Sequence, residues 1–175
     1  MKTRTMATIV SVMMILLQPL VLGEEKQVAT GPGAQAAFES LKKLVGEWEA
    51  EAGGEKVSLS YKLTGAGSAL METLLKGTPH EMVSMYHMDR QDLMMTHYCS
   101  AGNQPQLKFD AAASTPDRFV FKFVRGSNMD PAKDGHIHGL VFRVVDANQI
   151  EHEWEHYKDG KAAGENLKFV ATRKK

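Results

Sequence analysis

Cysteine is almost missing from this 175-residue chain: Cys99 is the only one, so no internal disulfide can form and stability has to come from a packed core. A lone thiol of this kind most commonly serves as a small buried apolar group. An excess of one charge is missing as well. Lysine and arginine number 21, as do aspartate and glutamate, and no dense basic block occurs, which argues against nucleic acid as a partner. The chain also lacks a phosphate loop and a nucleophile elbow, and its one H-E-x-x-H match, His152 to His156, falls in a period-two segment rather than on the helix that motif needs.

Long apolar runs are absent except near the N-terminus. There Lys2 and Arg4 precede the run Thr8 to Gln18, and the small residues up to Gly23 follow. This is the order of a secretory signal peptide over residues 1–23, with cleavage expected after Gly23. The run is shorter than the ~20 residues a spanning helix needs. No Cys follows it to take a lipid, so export with no stable membrane anchor is expected. The mature chain would carry 19 basic and 21 acidic side chains. Residues 24–34, broken by Gly31, Pro32 and Gly33, read as a flexible leader, and residues 35–175 as one domain.

What is present is periodicity. From Gln35 to Val45 the stripe Phe38, Leu41, Leu44 and Val45 opposes Glu39, Lys42 and Lys43, which predicts one short amphipathic helix. From Gly46 onward the period is two. Trp48, Ala50 and Ala52 alternate with glutamates, and Val57, Leu59, Tyr61 and Leu63 alternate with polar residues. Similar segments recur to Thr172, separated by turn residues such as Asp159-Gly160. About ten short strands without a second helical pattern predict an all-β fold: a single antiparallel up-and-down β-barrel.

The last three strands can be registered from their turns. If Asp159-Gly160 is a two-residue turn, Lys158 opposes Lys161, and counting on sets His156 against Ala163, Trp154 against Glu165, His152 against Leu167, Ile150 against Phe169 and Glu151 against Lys168. A three-residue turn at Asp146 to Asn148, with Asn in the left-handed conformation, sets Val144 against Ile150, Phe142 against His152, Leu140 against Trp154, His138 against His156 and Arg143 against Glu151. The inner face is then expected to hold His136, His138, His152, His156 and Glu165 beside Phe142, Trp154 and Phe169. Convergent polar groups in an apolar concavity are the usual sign of a binding site, although histidines can also satisfy one another. In the hairpin Met82 to Cys99, a two-residue loop at Arg90-Gln91 gives two mixed faces, and the pattern does not say which is inside. Its five methionines read as core filler or as soft copper ligands.

The helix running into Gly46-Glu47-Trp48, followed by up-and-down hairpins, resembles the start of the calycin barrels, the group that includes lipocalins, fatty-acid-binding proteins and nitrobindin-like haem proteins. Gly77 to Met82 (GTPHEM), Met85 to Asp89 (MYHMD) and Thr96 to Pro105 (THYCSAGNQP) are similar to a bacterial family of secreted calycin-like domains of unknown function, a resemblance covering roughly residues 36–173. It implies a barrel with a cavity and no particular activity. A haem role of the nitrobindin kind would call on His152 or His156, with no matching motif around either.

The leading expectation is therefore a non-catalytic exported binder of a small, partly apolar molecule. Trp48, Phe142, Trp154 and Phe169 would line the barrel, with His138, His156 and Glu165 fixing a polar end. A metal or haem site on His136, His138, His152 and His156 is the alternative. An acid-base enzyme using a histidine and Glu165 comes third.

Overall fold

The computed structural model describes residues 31–175 apart from Gly53; the expected signal peptide, its cleavage point and most of the leader lie outside the described residues. One α-helix, α1 (Ala34–Lys42), precedes eleven strands. These are β1 (Gly46–Ala52), β2 (Glu55–Thr64), β3 (Ala69–Leu74), β4 (Met82–Asp89), β5 (Asp92–Tyr98), β6 (Gln104–Phe109), β7 (Arg118–Ser127), β8 (His136–Val144), β9 (Gln149–Lys158), β10 (Lys161–Ala162) and β11 (Leu167–Arg173). Each of β1 to β8 pairs antiparallel with the next, β8 pairs with β9, and β11 closes the ring between β9 and β1. The result is a closed ten-strand up-and-down barrel, with β10 as an extra short strand beside β9. Closure leaves no long unpaired edge among the ten, which suits a chain with this many apolar strands.

One end is plugged. The helix buries Ala37, Phe38 and Leu41 against β4 and β5, and Leu44 is buried just beyond its C-terminus. The helix stops at Lys42, so Val45 leaves the expected stripe and is exposed. At the same end Trp48 donates its indole N–H to Leu44 O at 2.8 Å. The Arg173 guanidinium lies 4.2 Å above the Trp48 ring and donates to Lys43 O, Val45 O and Ala147 O. This arginine ties the last strand to the segment entering the first. Gly46 sits where the two meet: its φ of 140° disfavours a side chain, and a Cβ there would stand 2.8 Å from Arg173 Nη1.

The turns explain which expected pairings hold. Asp159 and Gly160 both have positive φ, as a two-residue hairpin turn between twisted strands requires, and Lys158 opposes Lys161. Across the three-residue turn, Val144 opposes Ile150, Phe142 opposes His152, Leu140 opposes Trp154 and Arg143 opposes Glu151 as expected. Asn148 does not take the left-handed conformation; its N–H instead bonds Asp146 Oδ1 at 2.7 Å.

Two local irregularities change the rest. The connection from β10 to β11 takes Ala163 to Asn166 out of the ladder, so β11 slips by two residues from the expected register. Trp154 opposes Leu167, His152 opposes Phe169, Ile150 opposes Ala171, and Lys168 faces Glu153 rather than Glu151. An even slip preserves the alternation, so Phe169 still faces inward, but Glu165 falls in the exposed connection. In β8 a bulge makes His138 the extra residue: Ile137 opposes His156, and Gly139 opposes Glu155. Gly139 permits this approach, since a Cβ there would stand 2.8 Å from Glu155 Oε2.

Candidate ligand cavity and the polar row beneath it

Among the described residues, nothing plugs the end opposite α1. The start of β2, the end of β3, the start of β4, the end of β5, the start of β8, the late part of β9 and the start of β11 surround a cavity of about 120 Å³ there. Apolar side chains, among them Leu74, Ile137, Trp154 and Phe169, make most of its wall, and His97, Cys99 and His156 also line it, though the surface the wall presents is apolar. Two of the segments that carry the family resemblance meet at this mouth: Gly77 to Met82 joins β3 to β4, and Thr96 to Pro105 joins β5 to β6. The second is held in a tight turn by Cys99 N–H to Asn103 O and Gly102 N–H to Cys99 O. It is tethered to the start of β8 by the Asn103 side-chain N–H to Gly135 O at 2.8 Å.

Inside the barrel, four directly opposed residues form a polar row across four strands: Tyr61 on β2, Glu72 on β3, Ser84 on β4 and His97 on β5. Strand tilt in a closed barrel carries such a row obliquely from one end to the other. It begins at the cavity with His97 and ends at the plugged end, where Tyr61 packs edge-on against Trp48 and Phe142. Glu72 is completely buried. Its Oε1 accepts from the Tyr61 hydroxyl at 2.7 Å and its Oε2 from the Tyr86 hydroxyl at 2.9 Å. His152, from the facing wall, places Nε2 3.0 Å from the Tyr61 hydroxyl. That hydroxyl already gives its proton to Glu72, so His152 Nε2 carries the proton of this contact. His152 Nδ1 is then left 3.7 Å from Glu72 Oε1, buried and without a hydrogen-bond partner.

Burial dominates the electrostatics. It raises the Glu72 carboxyl above its ordinary range, against the hydrogen bonds from Tyr61, Tyr86 and Ser84 that favour the ion. Burial and the neighbouring Glu72 charge push the hydroxyls of Tyr61 and Tyr86 well up. Burial lowers His152 to about 3 and, with a smaller contribution from His156, lowers His97 to about 4, so both rings are neutral near pH 7.

The structure distributes the expected site residues over three places. Trp154 and His156 line the cavity, with Trp154 buried and His156 exposed at the mouth. His152, Phe142 and Trp48 are buried below it, His152 in the polar network and the two aromatic rings in the core. His136 and His138 do not line the cavity. His136 Nε2 lies 3.1 Å from His138 Nδ1, His138 stacks on Tyr157 with ring centroids 3.7 Å apart, and Phe123 packs against both imidazoles. Burial and the adjacent His136 lower the His138 pKa, while Glu155 acts the other way. Glu165 joins none of these groups.

Four buried polar residues, Glu72, Tyr61, Tyr86 and Ser84, and the cavity-lining His97 lie outside the set expected from sequence. A signal was available: Leu70, Glu72 and Leu74 share one face of β3, which puts a carboxylate among leucines. The structure also settles the mixed hairpin. Ser84, Tyr86, Leu93, Met95 and His97 point inward, and Met95 is core filler. Among the described residues no group of three or more His, Cys, Asp or Glu side chains is placed to hold a metal ion.

No protein-family model matches the chain, and no curated protein matches it by sequence. The class that fold and site define is a closed ten-strand antiparallel β-barrel with an apolar cavity at its open end, consistent with a calycin-like fold.

Proposed function

We propose that this protein is an exported binder of a small, partly apolar molecule, held at the open end of the barrel. The cavity carries the reading: an apolar concavity at one end of an otherwise filled barrel is the form such sites take. Its volume is slightly below the ~150 Å³ of an engineered cavity known to admit benzene. A ring or a chain of about five carbons therefore fills it, and any larger ligand extends past His156 into solvent. Most of the interior is packed side chain, so the ligand is shallowly held rather than enclosed. The buried network beneath supports the floor, since fixing Tyr61, Tyr86 and His152 around Glu72 keeps the inner wall rigid.

Denaturing mass spectrometry of protein purified from its native host tests the reading. A small molecule released from the wild type should be lost from Leu74→Trp, which fills the cavity, and depleted in His156→Ala. Equal recovery from the wild type and the filled variant would place the ligand elsewhere and refute the reading.

A further inference from the structure

Two buried groups beneath the cavity are each short of a partner. The side chains of Glu72 and His152 are completely buried, and His152 Nδ1 lies 3.7 Å from Glu72 Oε1 with no hydrogen-bond partner among the described residues. The proton of the neutral ring is on Nε2, toward the Tyr61 hydroxyl, so Nδ1 presents a lone pair to a carboxylate oxygen. An ionised Glu72 lacks something as well: among the described residues no lysine or arginine is buried with it. Its titratable neighbours are Tyr61 from β2, Tyr86 from β4 and His152 from β9, with His97 from β5 beyond Ser84. Against the imidazole, β8 and β11 bring Phe142 and Phe169. The helix α1 buries only apolar side chains, and Arg173, over Trp48, is bonded to three carbonyls.

A single proton removes both defects. Placed on Glu72 Oε1 and donated to His152 Nδ1, it cancels the buried charge and supplies the lone pair with a donor, once the two atoms close from 3.7 Å to the roughly 2.8 Å of a hydrogen bond. Tyr61 already straps the same two side chains together, 2.7 Å from Glu72 Oε1 and 3.0 Å from His152 Nε2. We infer that Glu72 and His152 form a one-proton lock across the barrel lumen: protonated, a hydrogen bond from Glu72 Oε1–H to His152 Nδ1 ties β3 to β9, and deprotonated, a lone pair is left facing an anion and the tie is lost. Burial makes the oxygen the seat of the proton, because it raises the carboxyl and lowers the imidazole, so the ring stays uncharged. The lock lies beneath the cavity, since the His152 ring stacks on Phe169 with centroids 4.8 Å apart and sits 5.9 Å from Trp154, both of which line it. It operates whatever the cavity holds and does not depend on the binding reading.

NMR of the full-length protein, with isotope labels on the histidine ring nitrogens and the glutamate carboxyls, follows both partners from pH 4.5, the ordinary carboxyl value, up to the ~9 that buried carboxyls reach. The Glu72 carboxyl carbon and His152 Nδ1 should move together with one midpoint above 4.5, while His152 Nε2 keeps its proton throughout. In Glu72→Gln the Nδ1 signal should be flat over the same range. His152→Phe places a ring among aromatic neighbours but gives the protonated acid no acceptor, so the Glu72 midpoint should fall by roughly one pH unit, the worth of a hydrogen bond. Separate midpoints for the two groups, an Nδ1 signal that does not change over the range, a His152 ring that becomes charged within it, or a Glu72 midpoint that stays or rises in His152→Phe would overturn the inference. Should either variant fail to fold, the shared midpoint in the wild type still decides the matter.

Discussion

Replacing His97 by Gln keeps a polar partner for Ser84 but removes a ring that must stay neutral to remain buried. In the folded protein the ring titrates near pH 4, against an ordinary value of 6.5. A histidine depressed in this way contributes stability that is fully present above 6.5 and is lost as pH falls through about 4. Between those two values each pH unit changes the folding free energy by roughly 1.4 kcal/mol, so the wild type should lose about 3 kcal/mol relative to His97→Gln from pH 6.5 to 4. This is a sizeable part of the ~5–15 kcal/mol that holds a domain folded. Urea melts of both proteins at pH 7, 6, 5 and 4.5, at constant ionic strength, measure the difference. Other groups, including His152 and the salt-bridged surface carboxylates, cancel between the two proteins. The curves should be roughly parallel above pH 7 and converge or cross below pH 6 by about 1.4 kcal/mol per pH unit. Curves that stay parallel from pH 7 to 4.5 would refute the placement of a neutral, buried ring at residue 97.

Glu72 gives the opposite sign. Its carboxyl is raised above 4.5, so its contribution is present below that value and is lost as pH rises through the folded pKa. Relative to Glu72→Gln, the wild type should lose stability on going from pH 4.5 toward neutrality, read by the same melts. Glu72→Ala leaves the buried hydroxyls of Tyr61 and Tyr86 without their acceptor and should cost about 2–6 kcal/mol at pH 7 by urea unfolding. Arg173→Ala removes three hydrogen bonds and the contact over Trp48, a loss of about 2–4 kcal/mol; Arg173→Lys should recover less than half, because one ammonium cannot reach all three carbonyls. In differential scanning calorimetry, unchanged melting of Arg173→Ala would deny the lock between the two chain-distant segments.

Alternation made the barrel legible. Trp48, Leu59, Phe142, Ile150, Trp154 and Phe169 all lie on the face that period two assigns them, because a closed barrel has one apolar face per strand. Turn chemistry at Asp159-Gly160 supplied correct pairings nearby. Alternation is blind to inserted residues, however. The excursion at Ala163 to Asn166 preserved parity while removing Glu165 from the interior, and the bulge at His138 broke the expected His138 to His156 pairing. The polar row was hidden for a different reason. Its members sit on separate strands whose connections, such as Gly65 to Ser68 and Lys76 to Glu81, do not fix register by length. The mixed character of the Met82 to Cys99 hairpin was itself the trace of that row, since its inner face carries Ser84 and His97 among apolar neighbours.

The two tryptophans stand at opposite ends of the barrel, Trp154 in the cavity wall and Trp48 under the Arg173 lock. Their indole N–H resonances therefore serve as site and control in a titration with a small cyclic alcohol. Occupancy of the open end should shift Trp154 in a saturable way and leave Trp48 where it was. A saturable shift at Trp48 with Trp154 unmoved would contradict the account.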